Sequence, residues 1–585
     1  MTFLATTALE TFWDRSGPIL FLGAWCTLWP ARERCIRPQD VVLPSVWGDR
    51  ARFYEAARYA DACAERLLPQ LAAYLDGVHG APRGVAYWRV IIGPWLINYV
   101  HAAYDRWVHL LAAFARAPDL HTVVLDPAAY WVPPTGSQAH AGLLVDDAYN
   151  LQIVSQLLTA MGHCFPARAL GRHQRVPVRR DRWPRRVLHS VERAVATRLN
   201  GRVGMIGTSL SFGERWALAA ATRGDIIPLP QIHSPVFEGQ APVYDARRRG
   251  LAALEGSDPF ERAVIAALPG NFPTLYLEGH AAAQTFTLEM LARMRVGALY
   301  SETAWYWNEA VKYFAGEAAV RGTRLIAAQH GGGYGMYRFS SGELHERRLA
   351  HRYLVWGWAD DCGLRNWPSL TLSRLARARI RPRLANRGIL LIITTQSRYL
   401  HEFRSQPLGT QFEDYLDWQV RFLERLPGSL QHVVAVRPHV NDSDHDQVVW
   451  PRIATRFPNI ARDHTRSFLR AMGKGRLLVI DHCATTMLEA LVANVPTVLF
   501  WDPTRWEVRS SVEPLFDTLR RLRVLHDSPE DAACHVGQVY NDPWSWWRGA
   551  EIQANRISLV ERFARHRSGG IADWARGLVE EAVGS

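Results

Sequence analysis

One histidine stands in a glycine-rich turn directly after an apolar run near the middle of the chain. The run 325–328 predicts a buried strand, and Gln329-His330-Gly331-Gly332-Gly333 follows it. Because glycine adopts positive φ and lets another group approach the backbone closely, such a turn can place an imidazole at the mouth of a cleft. A histidine, with an ordinary pKa of ~6.5, is suited to take a proton from a hydroxyl group. His330 is therefore our candidate general base.

A second group of polar residues follows three predicted strands in the last third of the chain. Hydroxyl groups and free amides at a helix N-terminus bind phosphate, and an arginine or histidine nearby adds charge and donors. Glu489 lies one turn into the predicted helix 486–493, where its carboxylate could accept hydrogen bonds from ribose hydroxyls. We predict an anion site for a nucleotide donor, formed by Gly331, Gly332, Arg437, His439, Asp481, Thr485, Thr486 and Glu489.

Each of these residues also has a structural interpretation. Thr485 could be a helix N-cap, Glu489 a favourable charge near the helix dipole, and His439 an ordinary loop histidine. The general base has competitors as well. Glu346 and Glu343 lie in a segment that we expect to face the same cleft, and we count Glu346 with His330 as a catalytic candidate.

Other catalytic motifs are absent or weak. The turn 204–209 contains glycine but lacks a Walker lysine, and the chain has no Gly-x-Ser-x-Gly or Asp-x-Asp motif. A loop after the strand 432–437 is rich in potential metal ligands, but a solvated acidic loop is the alternative that we adopt. We predict neither a metal nor a cofactor. The loop's potential ligands are His439, Asp442, Asp444, His445 and Asp446.

The elements that must position these residues alternate between strands and helices. The chain has 585 residues, more than the roughly 250–300 that one core usually organises, so several domains are expected. Residues 51–75 and 88–115 have the pattern of long helices, and 18–23 that of an early strand. We predict strands at 204–207, 274–277 and 324–327, then at 388–395, 432–437, 477–480 and 497–500. A helix at 412–426 follows the strand 388–395. This alternation indicates parallel α/β sheets, which bind ligands at the carboxyl ends of their strands.

The predicted domains follow from this pattern. Residues 1–373 form an acceptor-side α/β domain with helical insertions, and 374–387 a basic linker. Residues 388–545 form a Rossmann-like domain for the donor nucleotide, and 546–585 are C-terminal helices.

Composition and charge limit the partners. The net charge of +12 permits anionic ligands, and arginine is dense at 172–186 and 374–387. We interpret both segments as solvated basic loops; a membrane-surface patch is the alternative, and no motif favours nucleic acid. Seven scattered cysteines without a Cys-x-x-Cys pair favour a reducing compartment. No apolar run is long enough to span a bilayer. We predict a cytoplasmic protein, with peripheral contact at the inner membrane as an alternative.

Several segments spread over nearly the whole chain match the sequence pattern of a known family: 3–14, 19–26, 88–96, 329–335, His345-Glu346, 356–358 and 437–439. In these segments the chain resembles a bacterial family of transferases tied to surface-carbohydrate biosynthesis. The second half is also distantly similar to GT-B glycosyltransferases, including capsule Kdo transferases and the polyol-phosphate transferases of teichoic acid synthesis.

The resemblance implies an α/β, GT-B-like fold: two Rossmann-like domains facing a cleft, with an N-terminal helical elaboration. It also implies that His330 is the base and that Arg437, His439, Thr485, Thr486 and Glu489 surround the donor nucleotide. The turn here reads His-Gly-Gly-Gly-Tyr rather than the His-Gly-Thr of polyol-phosphate transferases, which leaves the transferred group open.

The predicted function is a glycosyltransferase, independent of metal, that builds a bacterial surface polysaccharide or glycolipid. Its partners would be a nucleotide-sugar donor and a carbohydrate or lipid-linked acceptor, with no nucleic acid. Two alternatives stay open. One is a phosphotransferase that takes a polyol phosphate from a CDP-linked donor; the other is a non-catalytic protein that binds nucleotide sugars during assembly.

Overall fold

The computed structural model of this chain describes residues 1–29, 35–170, 201–230, 232, 234–237, 241, 243–377, 388–440, 448–567 and 571–583. Several predictions lie outside these residues: the basic segment 172–186, most of the basic linker, and the potential metal ligands Asp442, Asp444, His445 and Asp446. The first four residues of the predicted linker end a helix.

The strands are short, and most of them are largely buried, whereas the two-residue strands 167–168 and 461–462 are exposed. They are β1 Phe3–Ala5, β2 Ile19–Phe21, β3 Val41–Val42, β4 Val124–Leu125, β5 Ala167–Arg168, β6 Gly201–Met205, β7 Ile226–Pro228, β8 Val296–Ser301, β9 Arg324–Ala328, β10 Arg352–Val355, β11 Leu364–Asn366, β12 Gly388–Ile393, β13 Val434–Pro438, β14 Ala461–Arg462, β15 Gly475–Ile480, β16 Thr497–Phe500 and β17 Leu525–His526.

Helices connect and cover them. They are α1 Arg50–His79, α2 Gly84–Arg116, α3 Gly136–Val145, α4 Asp147–Ala160, α5 Phe212–Ala221, α6 Asp245–Leu251, α7 Pro259–Asn271, α8 Thr274–Leu277, α9 His280–Arg293, α10 Ala304–Trp307, α11 Glu309–Val320, α12 Ser341–Leu349, α13 Leu370–Arg377, α14 Phe412–Arg425, α15 Gly428–Gln431, α16 Val449–Arg456, α17 Phe468–Met472, α18 Thr485–Ala493, α19 Glu513–Arg521, α20 Pro529–Val539, α21 Pro543–Trp547, α22 Ala550–Phe563 and α23 Ile571–Val583.

Two parallel six-stranded sheets organise the chain. The first has the strand order β11-β10-β9-β8-β6-β7 and the second the order β14-β13-β12-β15-β16-β17. In each sheet the order reverses once, between β6 and β8 in the first and between β12 and β15 in the second. Open α/β sheets bind ligands in the crevice at such a reversal, outside the carboxyl ends of the strands. Each sheet therefore has one favoured place for a ligand.

The N-terminal elaboration is helical. Helix α1 has 30 residues and α2 has 33, and a tight turn at Gly80, with φ of 64°, joins them. Both helices were predicted from their periodicity. Most of α2 is buried because it is apolar on nearly every face, as expected of a helix enclosed by other elements. A small parallel sheet of β1, β2 and β3 precedes this pair.

One predicted strand is wrong. Residues 274–277 form the short helix α8, which starts after Pro273 and is buried at all four positions. A buried helical turn and a buried strand are both short apolar runs, so periodicity could not separate them. The third strand of the first sheet is instead β8, which the sequence analysis missed. It pairs with both β6 and β9.

The last helix returns to the first sheet. Trp574, Ala575 and Leu578 of α23 pack in one cluster with Val203 and Met205 of β6. The chain therefore crosses from the second sheet back to the first after α22. This crossing lays α23 along the first sheet, from Trp574 beside Tyr300 near the carboxyl end of β8 to Glu581 beside Arg352 at the start of β10.

Candidate functional site

The glycine turn after β9 is held by one buried glutamine. The side-chain carbonyl of Gln329 accepts hydrogen bonds from the Trp356 amide (2.9 Å) and the Trp358 indole (2.7 Å). Its amide group donates to the Gly331 carbonyl at 2.8 Å. The turn then uses positive φ at Gly333 (92°) and Gly335 (70°), a conformation that favours glycine. His330 thus projects from a fixed turn.

This turn lies directly against the second sheet. The Gly332 amide donates to Thr485 Oγ1 at 2.8 Å, and the Tyr337 hydroxyl donates to the Cys483 carbonyl at 2.7 Å. A Cβ added to Gly332 would lie 2.4 Å from both the carbonyl carbon of Ala484 and the amide nitrogen of Thr485. Only glycine permits this approach of two backbones. The carboxyl edges of the two sheets therefore meet at His330 and Thr485.

His330 is paired with a buried carboxyl group. Its Nδ1 lies 3.4 Å from Oε1 of Glu346, and the hydroxyl of Tyr334 lies 3.3 Å from both groups. Glu346 is fully buried, and its other oxygen accepts a hydrogen bond from the Tyr353 hydroxyl at 2.6 Å. The imidazole itself is 29% exposed. Glu346 is thus the buried, fixed member of the pair, and His330 is the member that a ligand in the cleft can reach.

The surroundings shift both members toward their neutral forms. Burial in the cleft, with the positive charge of Arg404 as a second cause, lowers the pKa of His330 to about 4. Burial raises the pKa of Glu346 to about 8, although the Tyr353 and Tyr334 hydroxyls oppose this shift. At pH 7 the imidazole is therefore neutral, which is the form that accepts a proton.

Glu343, the other competing carboxylate, is occupied elsewhere. Its Oε2 accepts from the Gly335 amide at 2.9 Å, and its Oε1 lies 2.6 Å from an Arg509 nitrogen. The side chain is 1% exposed. Glu343 therefore fixes the end of the glycine turn and links it to the second sheet, while Glu346 stands beside the imidazole.

A cavity of about 100 Å³ opens beside His330. It lies at the strand-order reversal of the first sheet and includes Ser209, Glu302, Trp367 and Trp574 in its lining, with Thr485 from the second sheet. Sequence reasoning missed all of these except Thr485. Glu302 directly follows β8, so recognition of that strand would have placed it at a strand end.

Glu302 contributes a buried carboxyl group to the lining of this cavity. It accepts from the Ser209 amide at 2.8 Å and from the Tyr300 hydroxyl at 3.1 Å. Burial raises the pKa of Glu302 above its ordinary value. The turn 204–209, which lacks a Walker lysine, thus positions a carboxyl group through the Ser209 amide.

The helix α18 begins at the interface without a side-chain cap from the described residues. Its N-cap is Ala484, so the alternative of Thr485 as N-cap is wrong. The Thr485 hydroxyl instead accepts from Gly332, and Thr486 is half-buried beside it. The first amides of an uncapped helix attract anions.

One turn further along α18, Glu489 has no hydrogen-bond partner among the described residues. Burial raises the pKa of Glu489 to about 7, and the positive charge of Arg437 opposes the shift. Arg437 is anchored by the Asp463 carboxylate and by the Thr465 carbonyl, which accepts its hydrogen bond at 2.8 Å. Glu489 lies beyond the first turn of the helix, where the dipole effect is small. Its interpretation as a dipole charge is therefore weakened.

Of the remaining predicted donor residues, Asp481 is buried and His439 is exposed. Asp481 is fully buried and accepts hydrogen bonds from the Thr394 amide, the Tyr415 hydroxyl and the Gln419 amide. It also holds Nδ1 of His482 at 2.7 Å, so its oxygens are occupied by the protein. His439 is exposed and directly follows β13. Because β12 separates β13 from β15, the two strand ends stand roughly 10 Å apart on one edge.

Comparison with known proteins gives a family. The model of the LIC12162 family transferases matches residues 2–578. The chain belongs to the LIC12162 transferase family. It is therefore a transferase, and the family resemblance seen in the sequence is confirmed. No curated protein matches the chain.

Among solved structures the similarities are remote. TarM is 10% identical with a TM-score of 0.32, and the alignment covers 53% of this chain and 59% of TarM, less than two thirds of its length. HepE of Anabaena, solved with UDP and glucose, is 10% identical, with coverages of 65% and 98% and a TM-score of 0.34. WaaG, a glycosyltransferase involved in lipopolysaccharide biosynthesis, is 13% identical, with coverages of 66% and 100% and a TM-score of 0.28.

The fold class predicted from the sequence is confirmed by the sheets themselves. Two parallel six-stranded sheets face one another at their carboxyl edges, as in a GT-B fold, with the helices α1 and α2 as the N-terminal elaboration. Within the described part of the chain, none of the helices has the length and apolar character needed to span a membrane.

Proposed function

We propose that this transferase moves a sugar from a nucleotide-activated donor to a hydroxyl of a carbohydrate or lipid-linked acceptor, in the synthesis of a bacterial surface polysaccharide or glycolipid. The observation that carries the proposal is the contact between Gly332 and Thr485. It unites a neutral imidazole from the first sheet with an uncapped helix N-terminus from the second. Such a split site suits a reaction that needs a base on one side and an anion site on the other.

In the proposed reaction, His330 takes the proton of the acceptor hydroxyl as its oxygen attacks the anomeric carbon. The bond between that carbon and the donor phosphate breaks, and the phosphate oxygen leaves with the electron pair. The reaction therefore inverts the anomeric configuration. The neutral state of His330 at pH 7 supports the role of base, because a protonated imidazole could not accept the proton.

On the donor side, the first amides of α18 and the Thr486 hydroxyl would hold the leaving phosphate, while Glu489 would accept hydrogen bonds from the ribose. Arg437 would add positive charge from the neighbouring strand end, with His439 on the same edge. We assign Asp481 a positioning role, since its carboxylate holds the His482 ring in place beside the donor site. We further propose a cytoplasmic location, supported by seven cysteine side chains that form no disulfide.

The test separates the two halves of the site. CMP-, UDP-, GDP- and CDP-linked compounds are first screened for thermal stabilisation, because a ligand that binds the folded state raises its melting temperature. With the donor identified, His330→Ala should reduce turnover at least about 100-fold, as expected for a general base, while donor affinity stays within about threefold. His163→Ala, whose ring stacks on Phe114 in the last turn of α2, is the matched control. Unchanged turnover in His330→Ala would refute the role of base.

The same screen tests the alternatives. Stabilisation by CDP-linked polyols alone would identify a polyol-phosphate transferase. Binding of a sugar nucleotide without turnover on any acceptor would identify an assembly protein, and His330→Ala would then have no effect.

A further inference from the structure

One tryptophan near the candidate base is exposed. Trp307 ends the short helix α10, which follows β8 at the carboxyl edge of the first sheet. It is 39% exposed, more than any other tryptophan in the described part of the chain, whereas Trp305, two residues earlier, is fully buried. Leaving so large an aromatic side chain in water forgoes the stabilisation that its burial would give. The ring is instead accessible to a ligand.

The exposed ring is held in one orientation. The imidazole of His140, from α3, stacks on it with ring centroids 3.7 Å apart and an angle of 18° between the ring planes. Since this imidazole covers one face of the indole, the exposed part of the ring is its other face and its edge. His401, from the loop after β12, lies edge-on to His140 at 4.9 Å. The ring therefore lies where the N-terminal half of the chain meets the loops of the second sheet.

Tyr306 connects this ring to the candidate base. Its ring lies 5.7 Å from that of Trp307 and 6.4 Å from that of His330. The Tyr306 hydroxyl donates to the Gly342 carbonyl at 2.7 Å, which fixes the ring between the other two. Trp307 is thus within the span of a disaccharide from His330.

Polar groups stand beside the stacked pair of Trp307 and His140. Nε2 of His401 lies 3.7 Å from Oε1 of Glu402, and Glu402 also pairs with Arg404. The Ser341 hydroxyl donates to the Glu402 carboxylate at 2.9 Å. Ser341 begins α12, the helix that carries Glu346. These polar groups therefore border the same part of the cleft as the candidate base.

A sugar ring matches this combination of groups. A pyranose has C–H groups on its face and hydroxyl groups around its edge, so it fits a flat aromatic face bordered by hydrogen-bonding side chains. A nucleotide base could also stack on a tryptophan, but the proposed donor site lies on the second sheet, at Thr486 and Glu489. We propose that Trp307, backed by His140, stacks against a sugar ring of the acceptor. The assignment of that ring to the acceptor rests on the proposed function, whereas saccharide binding at Trp307 does not.

The test changes the aromatic face at position 307. Trp307→Ala removes the face, and Trp307→Phe keeps a smaller one. Wild-type protein and variants are titrated with methyl hexosides, with hexose disaccharides and with UDP and CMP by ligand-observed NMR. Tyr244→Ala is the matched control, because Tyr244 is 51% exposed at the start of α6, a helix that packs on α1 and α7.

We expect Trp307→Ala to weaken saccharide binding about tenfold and Trp307→Phe to weaken it less than about threefold, with nucleotide affinity unchanged in both. Where turnover is measurable, the KM for the acceptor should rise by the same factors and kcat should stay constant, since a contact remote from the reacting atoms binds substrate and transition state alike. Tyr244→Ala should match the wild type in each measurement.

The outcomes separate this proposal from the proposed function. Saccharide binding that is weakened in Trp307→Ala supports the platform even if the wild type binds no nucleotide and shows no turnover, in which case only the proposed function fails. Weaker binding of UDP or CMP alone would assign the ring to a base and overturn the proposal. It is also overturned if Trp307→Ala changes neither saccharide affinity nor acceptor KM, or if the wild type shows neither binding nor turnover with any saccharide. Trp307→Leu takes the place of Trp307→Ala if the latter does not fold.

Discussion

Replacing Gly332 by alanine should separate the glycine turn from the helix that begins at Thr485. The new Cβ would lie 2.4 Å from the Ala484 carbonyl carbon and the Thr485 amide nitrogen. Carbon atoms in ordinary contact stay about 3.5 Å apart, so the two backbones must move apart by about 1 Å. Both atoms belong to main chain at the start of a helix, so no side-chain rotation can relieve the clash.

Two terms set the size of the effect on stability. The hydrogen bond from the Gly332 amide to Thr485 would be lost or lengthened, at a cost of about 1 kcal/mol. Overpacking of a close contact adds about 1–3 kcal/mol. We therefore expect the free energy of unfolding to fall by about 2–4 kcal/mol. If the site is split as proposed, a displacement of 1 Å should also reduce turnover about 100-fold.

Gly331→Ala is the matched control. Its Cβ would meet only the Thr485 hydroxyl oxygen, at 3.1 Å, so that group needs to yield by only a few tenths of an ångström and can keep its hydrogen bond from the Gly332 amide. We expect a loss of stability below about 1 kcal/mol and turnover within about threefold of the wild type. Urea unfolding, donor affinity and turnover should be measured on both variants. Equal behaviour of the two, or wild-type stability in Gly332→Ala, would show that the backbone contact does not exist in solution.

Three further predictions concern the buried polar groups. Burial raises the folded pKa of Glu346 to about 8, so the protonated carboxyl group stabilises the folded state fully below its ordinary pKa of 4.5, and this contribution is lost as the pH rises toward 8. In urea titrations the free energy of unfolding of the wild type should therefore fall, relative to that of Glu346→Gln, by about 1.4 kcal/mol per pH unit between pH 5 and 8. A difference between the two proteins that does not change with pH would contradict this prediction. The pKa of Glu489 is about 7, and only the ionised carboxylate accepts hydrogen bonds from the ribose, so the wild-type affinity for the donor should rise about tenfold from pH 6 to pH 8. In Glu489→Gln, calorimetry should find the same donor affinity at both pH values. If the variant shows the same rise as the wild type, Glu489 is not part of the donor site. Gln329→Met should lower the free energy of unfolding by about 2–4 kcal/mol, and with it the melting temperature, because it leaves the Trp356 amide and the Trp358 indole unpaired. A loss below about 1 kcal/mol would mean that other contacts hold the turn.

The second sheet was largely predictable from sequence. Strands buried on both faces are continuous apolar, β-branched runs, and the predicted 477–480 and 497–500 lie within or match β15 and β16. Once such strands are parallel, their carboxyl ends share one edge, so the residues after β13 and β15 had to lie together. The glycines after β9 likewise predicted a close backbone approach, and Gly332 makes one.

The first sheet was less predictable because its strands are polar at one end or interrupted. Strand β8 begins Val296-Gly297 and is exposed there, whereas 274–277 is wholly apolar and forms a helical turn. The buried apolar character that identifies a strand thus favoured the wrong segment. Because β8 was not predicted, Glu302 was not recognised as a residue at a strand end, although it follows that strand directly. Pairings across more than a hundred residues, such as Gly332 with Thr485, leave no local pattern at all.

Residue type at a strand end does not distinguish a ligand-binding carboxylate from one that holds the protein together. Asp481 and Glu343 have the chemistry of a site residue, but protein donors occupy their oxygens. Glu489 has the same chemistry and no such partner in the described part of the chain. Since a bound substrate needs hydrogen-bonding capacity that folding has left unused, Glu489 and the accessible edge of His330 are the groups on which the proposed reaction must depend. Asp481 and Glu343 would then affect the reaction only through the positions of His482 and the glycine turn.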